Sequence, residues 1–161
     1  MYLTSIHKKY YLEDFEKLLR FEKEDSIWPL DSGLQDVLTF INSNSKIQTL
    51  YSKKYSPKPD VLSPFPESYL QIAYTEEVES LLEAFLKSLK NHFKTGNIKL
   101  TIERCEPEDN ANYNPNSSID LGCIKNKDYF RLYHFKIHLE ASDIEVHNDF
   151  YKKLQEISNL V

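Results

Sequence analysis

Glycine and cysteine are both scarce in this chain. Three glycines in 161 residues leave few places where the backbone can take positive φ or close tightly around a phosphate. None of the fingerprints GxGxxG, GxxxxGK[ST] or GxSxG occurs. The two cysteines, Cys105 and Cys123, are too few for a disulfide scaffold and form no CxxC pair. They are expected as two reduced, partly buried thiols in strands. Long apolar runs are missing as well. No stretch approaches the roughly 18 apolar residues of a membrane span, and Met1–Lys9 lacks the apolar core of a secretory signal. The expectation is a cytoplasmic protein that does not engage a membrane.

Excess positive charge is also absent. A net charge of −5 argues against a life on a nucleic-acid backbone, which usually requires a basic footprint. The imbalance falls mostly in the second half, where residues 68–161 carry 11 Lys/Arg against 15 Asp/Glu. Such an acidic portion attracts basic partners over a distance. Aromatic residues, by contrast, are plentiful, with 11 Tyr and 9 Phe. With 40% apolar and 28% charged residues, the composition is that of a folded domain, and the length suits one.

Periodicity gives the elements. Leu12, Phe15, Leu18 and Leu19, with Tyr11 beside them, recur at helical spacing over residues 10–24. A second helix opens at a capping box of Ser32 and Gln35 and buries Leu34, Val37, Leu38 and Ile41. The two are expected to form a small helical pair. Residues 47–51 fit either a short strand or a last helical turn. Pro57, Pro59, Pro64 and Pro66 then remove donors and restrict their neighbours, so residues 56–68 read as a connection. Tyr69–Tyr74 reads as a buried strand. Thr75 is the expected N-cap of a long helix with Val78, Leu81, Leu82, Phe85, Leu86, Leu89 and Phe93 on its apolar face, and Gly96 is its expected C-terminal cap. Strands follow at Ile98–Glu103, Ile119–Ile124 and Tyr129–Glu140, the last with its odd positions buried. Ser142 and Glu145 form a third-residue capping pair at the head of a final helix.

These elements predict one α+β domain spanning 1–161, in the order α-α-β-α-β-β-β-α. It would hold a mostly antiparallel sheet of about four strands covered by helices. A helical part (1–55), the proline-rich connection (56–68) and an α+β core (69–161) would follow one another.

Chemistry-bearing patterns are thin. His134 and His138 share a strand face, but four strand residues span ~13 Å, too far for two imidazoles on one zinc. Phe135 stands where a helical zinc-protease motif needs Glu. The loop with Asn110, Asn112 and Asn114 has Pro115 at the turn-glycine position and Leu121 at the bidentate-Glu position of a calcium loop. No catalytic, cofactor-binding or metal-binding residue is therefore assigned, and no cofactor is expected.

The composition fits a non-enzymatic protein-binding or inhibitor protein. Its most specific form is a bacterial immunity protein whose acidic surface neutralises a basic, nuclease-type toxin. The partner-binding candidates are Glu106, Glu108, Asp109 and Tyr113 of the polar loop, with Glu145, Asp149 and Glu156 along the last helix. One alternative is a small enzyme or ligand-binding protein with a site near His134, His138 and Glu140, to which Cys123 could contribute. Another is an oligomeric structural subunit.

Overall fold

The computed structural model describes residues 1–23, 34–55, 57, 65–106 and 132–161. Within these, α1 spans Ser5–Lys23, α2 Leu34–Asn42, β1 Ile47–Lys53, β2 Glu67–Tyr74, α3 Glu79–His92, β3 Lys99–Cys105, β4 His134–Glu140 and α4 Ile144–Leu154. Short 3-10 turns precede α3 and follow α4. The four strands form one antiparallel sheet in the order β1-β2-β4-β3. The expected α+β class with an antiparallel four-stranded sheet is the one observed. The strand expected at 119–124, like the capping box at Ser32, lies outside the described residues.

Because β2 and β3 each run antiparallel to β4, they are parallel to each other. The β2-α3-β3 connection is therefore a crossover that leaves a one-strand gap, and β4 fills it. The segment 47–51, open between strand and helical turn in the sequence, is strand. It ties the helical N-terminal part to the rest by pairing Ile47–Lys53 with Tyr69–Tyr74 across the proline-rich connection.

Alternation divides the sheet into two faces. Leu70, Ile72 and Tyr74 of β2, Leu100 and Ile102 of β3, and Phe135, Ile137 and Leu139 of β4 point to one side. There they pack with α2, α3 and α4 in the main core. The stripe of α2 is buried as expected, at Leu34, Val37, Leu38 and Ile41. On α3, Leu82, Leu86 and Leu89 are buried and Phe85 is half-buried, but Leu81 is 46% exposed. The helix is narrower on its apolar side than the sequence suggested, because it meets the sheet along one stripe only.

On the other face, Leu3 and Tyr11 form a smaller cluster with Ala73, Leu132, Leu50 and Tyr51. So Tyr11 of α1 packs on the second face, while Phe15, one turn on, reaches the main core that α2 also lines. Helix α1 also reaches the β1 margin. Lys8 there is 6% exposed and donates to the carbonyls of Asn42 (2.8 Å) and Ile47. Asn42 ends α2, so its carbonyl is one of the acceptors a helix leaves unpaired, at the negative end of its dipole.

Three expected caps are placed differently. Helix α4 is capped by Asp143, which accepts from the Glu145 amide at 2.9 Å, one residue later than the Ser142 reading. Thr75 precedes a 3-10 turn without a side-chain cap bond, and α3 starts at Glu79. Gly96 lies in the turn before β3, since α3 ends at His92 with Phe93 as its C-cap. Helix α1 begins five residues before its expected start, at a capping box made by Thr4 and His7. The Thr4 hydroxyl accepts from the His7 amide (3.3 Å), and His7 Nδ1 accepts from the Thr4 amide (3.2 Å). Imidazole takes the place that Glu or Gln usually fills.

Candidate functional site

The second face of the sheet is only partly covered. Cross-strand pairing sets its side chains in rows. Lys53, Tyr69, His138 and Thr101 stand in one row, and Tyr51, Gln71, Lys136 and Glu103 in the next. Helix α1 packs at the end near Ala73, and in these rows Thr101, Lys136 and Glu103 are exposed while Lys53, Tyr51, Tyr69, Gln71 and His138 are half-buried. Tyr51, Tyr69, Gln71, Lys136, Ile137 and His138 line an open groove of about 360 Å³. A bulge between Thr49 and Tyr51 adds a residue to β1 and turns Tyr51 toward this face.

A chain of charges borders the groove. Lys53 Nζ lies 3.2 Å from Glu67 Oε1, and Glu67 Oε2 lies 2.9 Å from His138 Nε2. The other ring nitrogen of His138 is 4.0 Å from Glu140 Oε1. The hydrogen bond from His138, aided by Lys53, holds the Glu67 carboxyl below the ordinary range. Glu67 is thus a carboxylate already satisfied by two partners.

Of the ligand-site candidates, His138 and Glu140 do come together. His134 does not join them. Its Nδ1 meets the Leu132 carbonyl at 2.9 Å, and burial pushes its pKa down. Cys123 lies outside the described residues. Among the described residues no group of three or more His, Cys, Asp or Glu is placed to hold a metal ion.

The partner-binding candidates are dispersed. Glu106 is exposed and pairs with Arg104 at 2.7 Å. Glu145 and Glu156 are exposed on α4 and the turn after it. Asp149 pairs with His92 of α3 at 2.9 Å. Cys105 pairs with His134, and Lys99 with Glu140. Glu106 therefore leaves the sheet at the end opposite the one where the chain enters α4, some 20 Å along β3. Glu106 and Glu145 do not share a patch. Glu108, Asp109 and Tyr113 lie outside the described residues.

One arrangement escaped the sequence reading. His147 of α4 and Ser68 of β2 are both 0% exposed, and Ser68 Oγ lies 2.6 Å from His147 Nδ1. His147 Nε2 is 2.6 Å from the Ala141 carbonyl. A carbonyl only accepts, so Nε2 carries the proton and Nδ1 accepts from the Ser68 hydroxyl. The Ser68 oxygen accepts in turn from the Tyr55 amide at 2.9 Å. A serine beside an oriented imidazole has the form of a nucleophile and its base. Here, however, neither group meets solvent, and every polar atom of the pair is spent on joining β2, α4 and the chain after β1. The signal in the sequence was slight: one histidine among the apolar positions of α4, with a partner 79 residues away.

No protein-family model, curated protein or solved structure matches the chain. Among the described residues, no helix is long and apolar enough to cross a membrane.

Proposed function

We propose that the chain is a non-enzymatic protein-binding protein and that it holds its partner on the partly exposed half of the second sheet face, around Tyr69, Lys136 and Tyr51. The observation that supports this is the pair of half-buried tyrosines, one on β1 and one on β2, set among hydrogen-bonding and charged groups that include the exposed Lys136, Thr101 and Glu103. Tyrosine buries large area at little entropic cost and keeps a polar handle, which is why it anchors protein interfaces. The acidic balance of the chain favours a partner that is basic overall. A bacterial toxin neutralised by an immunity protein is the most specific form of this reading.

A second reading is a small-molecule site in the same groove. It draws on the volume of about 360 Å³, toward the lower end of the range for ligand pockets.

Co-expression with the product of the adjacent gene, followed by co-purification, tests the first reading. A stable complex is expected, weakened about tenfold or more when Tyr51→Ala and Tyr69→Ala are combined. Wild-type affinity in a folded double variant would move the interface off this face. A chain that purifies alone would remove the neighbour as partner.

A further inference from the structure

The buried pair of Ser68 and His147 joins three stretches of chain that are not equally well anchored. β2 is bonded on both sides, to β1 and to β4. Helix α4 buries Phe150, Tyr151 and Leu154 in the main core. Tyr55 lies in neither a strand nor a helix. It is half-buried, just past the end of β1 and at the head of the proline-rich stretch. Its amide donates to Ser68 Oγ at 2.9 Å, and its ring lies 4.8 Å from the His147 ring, tilted by 44°. The tie runs from Tyr55 N–H to Ser68 Oγ, from Ser68 O–H to His147 Nδ1, and from His147 Nε2–H to the Ala141 carbonyl. One proton undoes it. A protonated Nδ1 donates, so the Ser68 hydroxyl loses its acceptor, and an imidazolium then occupies a position with 0% exposure. Among the described residues the charges that bear on the ring are Asp143, before α4, which favours the imidazolium, and Lys54, beside Tyr55, which opposes it. Water satisfies both the ring and the hydroxyl only if one of the three walls moves, and Tyr55 is the least anchored.

We propose that His147 is an acid-operated latch: when its ring takes up a proton, Tyr55 leaves β2 and α4 and admits water, while the sheet stays formed. The opening stops at Lys53. There the Tyr151 hydroxyl holds the carbonyls of Lys53 and Tyr69, a contact between neutral groups that acid leaves intact. Burial keeps the ring's pKa below its ordinary 6.5 while the latch is shut. Opening returns the ring to water and to that ordinary value, so each proton taken up below about 6.5 favours the open form. At neutral pH the ring is uncharged and the latch is closed. The device changes one margin of the molecule in the mildly acidic range and leaves the core in place.

The test is an NMR titration of the full chain from about pH 7.5 to about pH 5, following the His147 ring protons and the backbone amides. The Tyr55 amide should change along the same curve as the His147 ring, with the open population growing by up to about tenfold for each pH unit below about 6.5. The amides of Ile72 and Ile137, inside the sheet, should hold their positions over that range. Hydrogen exchange at the acid end separates local opening from unfolding. A low concentration of urea should leave exchange at Tyr55 unchanged and quicken it at Ile72. His147→Gln, which keeps a donor and an acceptor but does not titrate, should abolish the acid response of Tyr55. Three results would each overturn the proposal: a Tyr55 amide that is unchanged while His147 titrates, one that changes only together with Ile72, or one that keeps its full acid response in a folded His147→Gln variant.

Discussion

Two buried ionisable side chains set how stability responds to pH. His147 is neutral in the fold, and burial keeps its pKa below the ordinary 6.5. Above that value it is neutral folded or unfolded. As pH falls below about 6.5 the unfolded chain takes up a proton that the folded chain resists, so stability is lost. Protonation would turn Nδ1 from an acceptor into a donor, and the Ser68 hydroxyl would lose the acceptor it now uses. His134 adds to the same decline. Lys8 acts in the alkaline range. Burial pulls its pKa down to about 8, so between about 8 and the unfolded value near 10.4 the unfolded chain holds the extra proton and stability rises with pH. Denaturant unfolding from pH 5 to pH 10 is expected to show both slopes. His147→Gln, which keeps a donor and an acceptor, should be less stable than wild type at pH 8 by about 1–3 kcal/mol and lose part of the acid slope. Lys8→Met should lose the alkaline slope. An unchanged acid slope in His147→Gln would place the titrating group elsewhere.

At the scale of elements, what the sequence revealed was whatever rests on local periodicity. The stripe of α2 and the buried odd positions of β4 came through because one face of each meets a single core. Leu81 did not, since spacing alone cannot tell the centre of an apolar stripe from its margin. The caps moved by one to several residues because several polar residues stand near each helix start, and only the backbone decides which accepts a bond. The rows around Tyr69 and His138 were invisible for another reason: they depend on β4 lying between β2 and β3. The tight packing of α3 yields a graded test. Leu82→Asp, at 0% exposure, should unfold the protein, since an unpaired buried carboxylate costs several kcal/mol out of a total of about 5–15. Phe85→Asp should cost less, because Phe85 is half-buried. Leu81→Asp should lie within about 0.5 kcal/mol of wild type. Urea unfolding of the three variants ranks them, and a Leu81 variant as unstable as Leu82 would show that α3 is rotated.

Over the whole molecule, charge and chain order come into play. With a basic partner in hand, reversing Glu145 and Asp149 to lysine should slow association and reduce its salt sensitivity while the dissociation rate stays near wild type, because neither residue lies in the groove. Stopped-flow measurements at two ionic strengths check this, and a change confined to dissociation would put α4 inside the interface. The placement of β4 has a consequence of another kind, in the timing of assembly. Of the four described strands β4 is the last to be synthesised, yet it lies inside the sheet, bonded to β2 on one side and β3 on the other. A nascent chain that has emerged only as far as Cys105 can pair β1 with β2, but among the described strands β3 has none to join and β2 lacks its second neighbour. Even the Met1 carbonyl waits for the Tyr133 amide, its partner at 2.9 Å. Unpaired edges are where foreign strands add, and contacts so distant in sequence form slowly. The protein therefore passes through synthesis with its sheet divided, most exposed to misassembly just before β4 arrives to close it.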